Sequence, residues 1–153
     1  MCKSLSHFKQ GLEAIKLLSW WEYAQKKPNE MIKCRAIVRM LFKCHHLKSC
    51  TYRYNENKLS EYCEHCATRQ RETVCHVLFE CEGNEEQRNI YWAEVKKCCP
   101  ERLFLEIEQM TNEQKTSFIL NGLNNAFTIE WMEMYSAVAN FIYMLIITRY
   151  NEE

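Results

Sequence analysis

Glycine and proline are scarce in this chain of 153 residues, which has three of the first and two of the second. Sandwiches and barrels of β-strands need many turn residues, so this scarcity argues against both and favours helices. The composition is 47% hydrophobic and 26% charged, which is typical of a globular protein and argues against disorder. A chain of this length is expected to bury roughly 68–70% of its unfolded surface.

Long apolar runs and a secretory signal are also missing. The most apolar stretch, residues 128–150, is interrupted by Glu133, Ser136 and Asn140, whereas a bilayer span needs about 20 consecutive apolar residues. The first ten residues contain polar side chains throughout and no apolar segment of the kind that a secretory signal requires. We therefore expect an intracellular protein, cytoplasmic or nuclear, whose ten cysteines are reduced and whose paired cysteines bind metal.

Charge is balanced over the whole chain but divided along it. Residues 1–60 contain 12 Lys or Arg against 4 acidic residues, a balance of +8, and residues 61–153 contain 8 against 16, a balance of −8. This division predicts either a contact between the basic half and a polyanion, or mutual attraction between the two halves.

The most informative motif consists of four metal-ligand residues with the spacing C-x2-C-x9-H-x4-C: Cys63, Cys66, His76 and Cys81. A Cys-x2-Cys pair followed by His and Cys at close range is the spacing of a closed tetrahedral zinc site. Four protein ligands leave no open position for a reactive water, so the spacing predicts a structural Zn²⁺ rather than a catalytic one. Cys75 can replace His76 as the third ligand, whereas His65 lies inside the first ligand loop, where geometry usually excludes it.

The remaining sequence has helical periodicity and no stretch with the alternation of a strand. The predicted fold class is mostly α, a helical domain built around a small CCHC zinc knuckle. In the helix that follows Asn84, its expected N-cap, Ile90 and Val95 should face inward. A capping box at Thr111–Gln114 opens a later helix. We expect one compact domain in three segments: a basic N-terminal helical segment (1–60), the knuckle (61–83) and a C-terminal helical segment (84–153). The expected helices cover residues 5–25, 30–47, 84–98, 103–110, 111–120 and 128–150.

Basic and aromatic side chains before the knuckle are candidates for nucleic-acid contacts. Arg35, Arg39 and Lys43 are spaced four residues apart, so they form one stripe on the second helix. This stripe is either a solvated helix side or a ridge that contacts phosphates. In the following loop, Tyr52 and Arg53 can stack on a base and pair with a phosphate, or they can pack the knuckle against the helix.

A second group of metal-ligand types follows the basic stripe. Cys44, His45, His46 and Cys50 are close in sequence, but they do not form two paired arms. They are either a second metal site or part of a helix C-terminus, where the partial negative charge favours histidine.

The stretch from Arg39 to Trp92, about one third of the chain, resembles the reverse transcriptase zinc-binding domain. That domain is the C-terminal region of non-LTR (LINE-type) retrotransposon reverse transcriptases. Its pattern is a Cys-x2-Cys pair, an acidic residue followed by Thr, then His-x-Leu-Phe-x-Cys, Arg and an aromatic residue. The family usually has a Gly-His-Gly-like turn after the basic helix, where this chain has Lys-Cys-His-His at 43–46. The matching residues besides the four ligands are Glu72, Thr73, Leu78, Phe79, Arg88 and Trp92.

The resemblance implies a region that helps to hold template RNA or target DNA during target-primed reverse transcription. The chain has no adjacent pair of aspartates, so the metal-binding motif of the polymerase is absent, as are the carboxylate sets of an endonuclease or RNase H. We therefore expect a zinc-stabilised module that binds RNA or DNA, does not contact a membrane and has no catalysis of its own. The alternative is a helical protein-interaction module with a purely structural zinc, whose C-terminal helix meets a protein partner.

Overall fold

Helices dominate the structure, which confirms the mostly α class predicted from the sequence. The computed structural model describes residues 11–42, 47–51, 60–121, 129–147 and 149. Within these ranges there is no strand, only one isolated antiparallel bridge between Tyr62 and Arg71. The helices are α1 (Gly11–Lys26), α2 (Met31–Leu41), α3 (Lys48–Thr51), α4 (Glu85–Cys98), α5 (Glu101–Glu108), α6 (Asn112–Leu120) and α7 (Ile129–Ile147).

Local sequence signals explain several helix ends. Pro28 fits the first position of a short 3-10 turn, Pro28–Glu30, because its missing N–H would be unpaired there in any case. The capping box before α6 is confirmed, since the Gln114 N–H donates to Thr111 Oγ1 at 3.2 Å and the Thr111 N–H donates to Gln114 Oε1 at 2.9 Å. The bounds of α4 and α7 also agree with the predicted helices to within a few residues.

Helix α7 lies at the centre of the fold, where it packs against α2 and α4. Between residues 131 and 147 only Glu133 is exposed, because nearly every face of this helix meets another element. In the described part of the chain, no helix combines the length and the apolar character that crossing a membrane requires. The apolar sequence of α7 therefore reflects burial in the protein core.

Two aromatic clusters fix the position of α7. The Tyr135 ring stacks on Tyr23 at 5.2 Å between centroids and meets the edge of Trp20 at 4.9 Å. The indole N–H of Trp20, buried in this cluster, donates to the Leu120 carbonyl at 2.8 Å, so its polar group is paired. In the C-terminal half of α7, the ring centroid of Phe141 lies 5.6 Å from that of Phe79. Phe79 is two residues before Cys81, the last cysteine of the metal motif. This second contact attaches the knuckle (residues 61–83) to the core.

The structure corrects some of the predicted side-chain orientations and confirms others. Ile90 is exposed, whereas Val95 is buried as predicted, because α4 presents only a narrow face to α7. The two adjacent tryptophans of α1 also differ, since Trp20 is buried and Trp21 is exposed. Asn84 precedes α4 as expected, but its side chain does not cap the helix and instead donates to the Val77 carbonyl at 3.0 Å.

The core role of α7 predicts an asymmetry between two Leu→Ala substitutions. Leu145 is fully buried in α7, and Leu105 in α5 is 58% exposed. We expect Leu145→Ala to lower the free energy of unfolding by about 2–5 kcal/mol, because it removes buried methyl groups and leaves a cavity. Leu105→Ala is the matched control and should change it by about 0.5 kcal/mol or less. Urea unfolding followed by circular dichroism measures both, and equal losses would contradict a core position for α7.

Candidate metal centre

The structure brings the four predicted ligand residues together at one point. The ligand atoms of Cys63, Cys66, His76 and Cys81 all lie within 4.8 Å of one another. Cys63, His76 and Cys81 are buried, and Cys66 is half-buried at the edge of the cluster. Among the described residues this is the one group of three or more such side chains with the proximity that a metal ion requires.

Two distances within the cluster match those expected around a tetrahedral ion. Zinc bonded to sulfur at about 2.3 Å and to nitrogen at about 2.0–2.1 Å sets two sulfurs about 3.8 Å apart, and a sulfur and a nitrogen about 3.5 Å apart. The Sγ atoms of Cys63 and Cys81 are 3.7 Å apart, and Cys66 Sγ lies 3.5 Å from His76 Nε2. The donor set of three thiols and one imidazole therefore fits a four-coordinate metal in both chemistry and spacing.

A tight hairpin presents the first two cysteines. The Cys63 N–H donates to the Gln70 carbonyl at 2.7 Å, and the Glu72 N–H donates to the Glu61 carbonyl at 2.9 Å. Between these paired arms the chain turns through Arg69, whose φ of 45° lies in the left-handed region. The hairpin holds both sulfurs of the Cys-x2-Cys pair on the side that faces the second ligand pair.

A single helical turn presents the second ligand pair. Thr73 Oγ1 accepts the His76 N–H at 3.1 Å and so starts the turn. The turn His76–Glu80 is π-helical, because the Cys81 N–H donates to the His76 carbonyl five residues before it, at 2.7 Å. This wide turn places the His76 and Cys81 side chains on the same side of the chain.

The surroundings of His76 favour the tautomer that a metal needs. Its Nδ1 lies 3.2 Å from Gln70 Oε1, so a proton on Nδ1 is donated to Gln70 and the Nε2 lone pair faces the sulfurs. Burial, assisted by the positive charge of Arg149, lowers the pKa of His76, which favours the neutral ring. At the edge of the cluster, a hydrogen bond with Thr68 lowers the pKa of Cys66, which favours the thiolate.

The structure excludes Cys75 from the cluster. Its Sγ donates to Glu80 Oε1 at 3.6 Å, and burial raises the pKa of this thiol to about 11, so it stays protonated. His65 is exposed and also lies outside the cluster. The described cysteines form no disulfide. Of the alternatives left open by the spacing, the set with His76 as third ligand is the one that the fold assembles.

Arg149 and Glu72 lie against the cluster and against each other. Arg149, just after α7, donates from Nη2 to Cys81 Sγ at 2.7 Å, and its Nη1 lies 2.8 Å from Glu72 Oε2. The acidic residue was noted in the sequence for its resemblance to a family pattern, but the arginine was missed. One signal could have identified it: Arg149 is the only Lys or Arg after Lys115, and it ends the most apolar segment of the chain.

The predicted nucleic-acid contacts are described only in part. Arg35 and Arg39 are exposed on α2, as the helical spacing predicts. Lys43, Tyr52 and Arg53 lie outside the described residues, so their roles stay predictions. The same holds for Cys44, His45 and His46 of the second group of metal-ligand types, whereas Cys50, its fourth member, belongs to α3.

Gly83 permits the close approach of the two ligand arms. A Cβ atom at this position would collide with the backbone carbonyl of His65, in the first ligand loop. We expect Gly83→Ala to lower the free energy of unfolding by about 1–3 kcal/mol and to reduce metal content, because the backbone on one side must move. Gln87→Ala, at an exposed position of α4, is the control and should change neither. Urea unfolding and metal analysis of both purified variants test this; full metal content with unchanged stability in Gly83→Ala would contradict it.

Comparison with known proteins identifies the chain at the level of its family. No curated protein and no solved structure matches it. A family model described as a domain of unknown function, DUF8225, matches residues 14–139. This span contains all four clustered side chains and most of the helical core. Because the match covers more than half of the chain, the protein belongs to the DUF8225 family.

Proposed function

We propose that this chain is a zinc-stabilised module that binds RNA or DNA through phosphate contacts and has no catalysis of its own. The observation that carries the proposal is the convergence of Cys63, Cys66, His76 and Cys81 at the spacings of a tetrahedral site. The resemblance to the zinc-binding region of retrotransposon reverse transcriptases supports the same function. On this proposal the chain corresponds to a fragment, a relic or a domesticated copy of that region.

The donor set supports Zn²⁺ as the metal. Thiolate and imidazole ligands suit a borderline-soft ion, and zinc accepts a tetrahedral Cys₃His site without a preference for additional ligands. When bound, the ion would cross-link the hairpin to the π-helical turn. Metal binding to such small knuckles is worth on the order of 10 kcal/mol of folding free energy at neutral pH.

Exposed positive charge on α2 supports a nucleic-acid partner. Arg35 and Arg39 are one helical turn apart and exposed, and neither forms an ion pair with any residue that the structure describes. Two exposed guanidinium groups on one face can each contact a phosphate, and the balance of +8 over residues 1–60 adds long-range attraction.

Two features support a binding role without catalysis. A site with four protein ligands has no position for a metal-bound water that could act as nucleophile. The chain also contains no aspartate, since all 20 of its acidic residues are glutamates, so it cannot have the aspartate motif of a polymerase. The thiol of Cys75, next to His76, has a raised pKa because it is partly buried, which disfavours its reactive thiolate form.

The alternative, a helical protein-interaction module, remains a prediction. A partner surface on the C-terminal helix would need exposed apolar side chains, but Glu133 is the one exposed residue of α7 between residues 131 and 147. The large apolar side chains that are exposed lie on other elements, for example Trp21 in α1 and Ile32 in α2. Exposed apolar residues that occur singly are normal in soluble proteins and do not by themselves indicate an interface.

The ligand assignment predicts which cysteines are needed for metal. We expect the purified protein to carry one Zn²⁺ per chain and Cys81→Ser to lose it, because a serine hydroxyl is a poor zinc ligand. Cys75→Ser is the matched control, since this thiol lies outside the cluster, and it should keep its zinc. Elemental analysis and thermal melting with and without a chelator give the readout. If a chelator changes neither the metal content nor the melting temperature, the zinc assignment is wrong.

The phosphate assignment predicts a change in salt dependence. We expect Arg35→Gln/Arg39→Gln to reduce the slope of log affinity against log salt by about 1.4 for single strands and about 1.8 for duplex DNA, as two phosphate contacts are lost. Arg102→Gln is the control, because Arg102 is exposed in the acidic segment, and it should leave the slope unchanged. Filter binding or fluorescence anisotropy over a salt series measures the slopes. If the wild-type chain, loaded with zinc, retains neither RNA nor DNA at low salt, the nucleic-acid role is wrong even if zinc binding is correct.

A further inference from the structure

A buried arginine joins the end of α7 to the metal centre. The side chain of Arg149 is only 3% exposed, and it is far in sequence from every ligand residue. Its Nη2 donates to Cys81 Sγ at 2.7 Å, and its Nη1 contacts Glu72 Oε2 at 2.8 Å and Cys63 Sγ at 3.4 Å. One guanidinium group therefore reaches two of the four ligand residues and a buried carboxylate.

Arg149 lies between two sources of negative charge, the Glu72 carboxylate and the ligand sulfurs. Glu72 is buried, and its other oxygen accepts the backbone N–H of Lys48 at 3.1 Å, so this carboxylate is fully hydrogen-bonded. Three thiolates with a divalent ion and a neutral histidine have a net charge of −1, which is costly in a buried site without a positive neighbour. The planar fork of Arg149 can reach the sulfurs and Glu72 together, so its one positive charge is shared between them and offsets part of the negative charge on each.

We propose that Arg149 is a positioning residue that couples metal binding to the docking of the C-terminal end of α7. The proposal rests on the metal binding proposed above. Arg149 contacts the sulfurs of Cys63 and Cys81 and so holds these two side chains in the cluster, while its positive charge favours the excess negative charge that three sulfur ligands would place around a divalent ion. The coupling is reciprocal, so an ion in the knuckle stabilises the docked helix end by the same factor by which the docked end strengthens metal binding.

A simpler role for Arg149 would be to neutralise Glu72 alone. Removal of the arginine would then leave an unpaired buried carboxylate and destabilise the protein without any specific effect on the metal. The double variant Glu72→Gln/Arg149→Met separates the two roles, because it removes both charges at once and leaves no unpaired carboxylate. If Arg149 acts on the thiolates, the double variant folds and still binds zinc weakly.

The test measures zinc affinity of the full chain by competition with a chromophoric chelator. We expect Arg149→Met and Glu72→Gln/Arg149→Met each to bind zinc about 10–100-fold more weakly than the wild type. Arg149→Lys should lie between these variants and the wild type, because an ammonium keeps the charge but lacks the planar fork. Arg102→Met is the matched control at a side chain that is 94% exposed, and it should bind zinc like the wild type.

Two further readouts follow the mechanism directly. With Co²⁺ in place of zinc, loss of the hydrogen bonds to sulfur should move the sulfur-to-cobalt charge-transfer bands to longer wavelength in the double variant, because the sulfur lone pairs rise in energy. In the wild type, metal removal should lower the hydrogen-exchange protection of amides at residues 141–147, and this difference should shrink in the double variant.

The outcomes distinguish the coupling from the metal site itself. A wild-type chain that binds no zinc overturns both proposals. If the wild type binds zinc and the double variant binds it equally well with an unchanged cobalt spectrum, the coupling is wrong while the metal site stands. Weak binding by Arg149→Met that the added Glu72→Gln restores to the wild-type level would show that Arg149 only neutralises the carboxylate, and it would also overturn the coupling.

Discussion

The fold brings three sulfurs and an imidazole within 4.8 Å of one another, and the surrounding structure is arranged around that requirement. Thiolates at such a distance repel, and they become stable together only when positive charge lies between or beside them. A metal ion would place positive charge between the sulfurs, and the guanidinium of Arg149 places it beside them. The hairpin, the π-helical turn and the small residue Gly83 all serve to let these ligand arms approach.

The cluster is also the point at which distant segments of the chain meet. Glu72 in the knuckle accepts the backbone N–H of Lys48 from α3 and pairs with Arg149 after α7. Behind the cluster, Phe79 and Phe141 connect the same turn to the core of α7. The knuckle is thus continuous with the helical domain, so a bound metal would be connected through these contacts to helices that contain no ligand.

Much of the local structure could be predicted because it depends on neighbours in sequence. The capping box at Thr111 and the ends of α4 follow from residues within a few positions of each boundary. Inward-facing positions were less predictable, since Trp20 and Trp21 are equally apolar and only the rings of Tyr23 and Tyr135 decide which one is buried. Ile90 illustrates the same point: its apolar side chain fits a helical pattern, but α7 does not pack on that face.

The sequence by itself determined the helical class of this protein and the three cysteines of its cluster, with His76 or Cys75 as the remaining ligand. Both depend on the spacing of residues that are close in sequence, because within a helix or a ligand pair that spacing fixes which side chains lie together. Only the tertiary structure decided that Cys75 is excluded and that Gly83 must pass close to His65. It also decided that Arg149 reaches the sulfurs of Cys63 and Cys81, which lie more than 60 positions earlier in the chain. Such contacts depend on how α7 packs across the domain, and no pattern of neighbouring residues specifies contacts between segments so far apart in the chain.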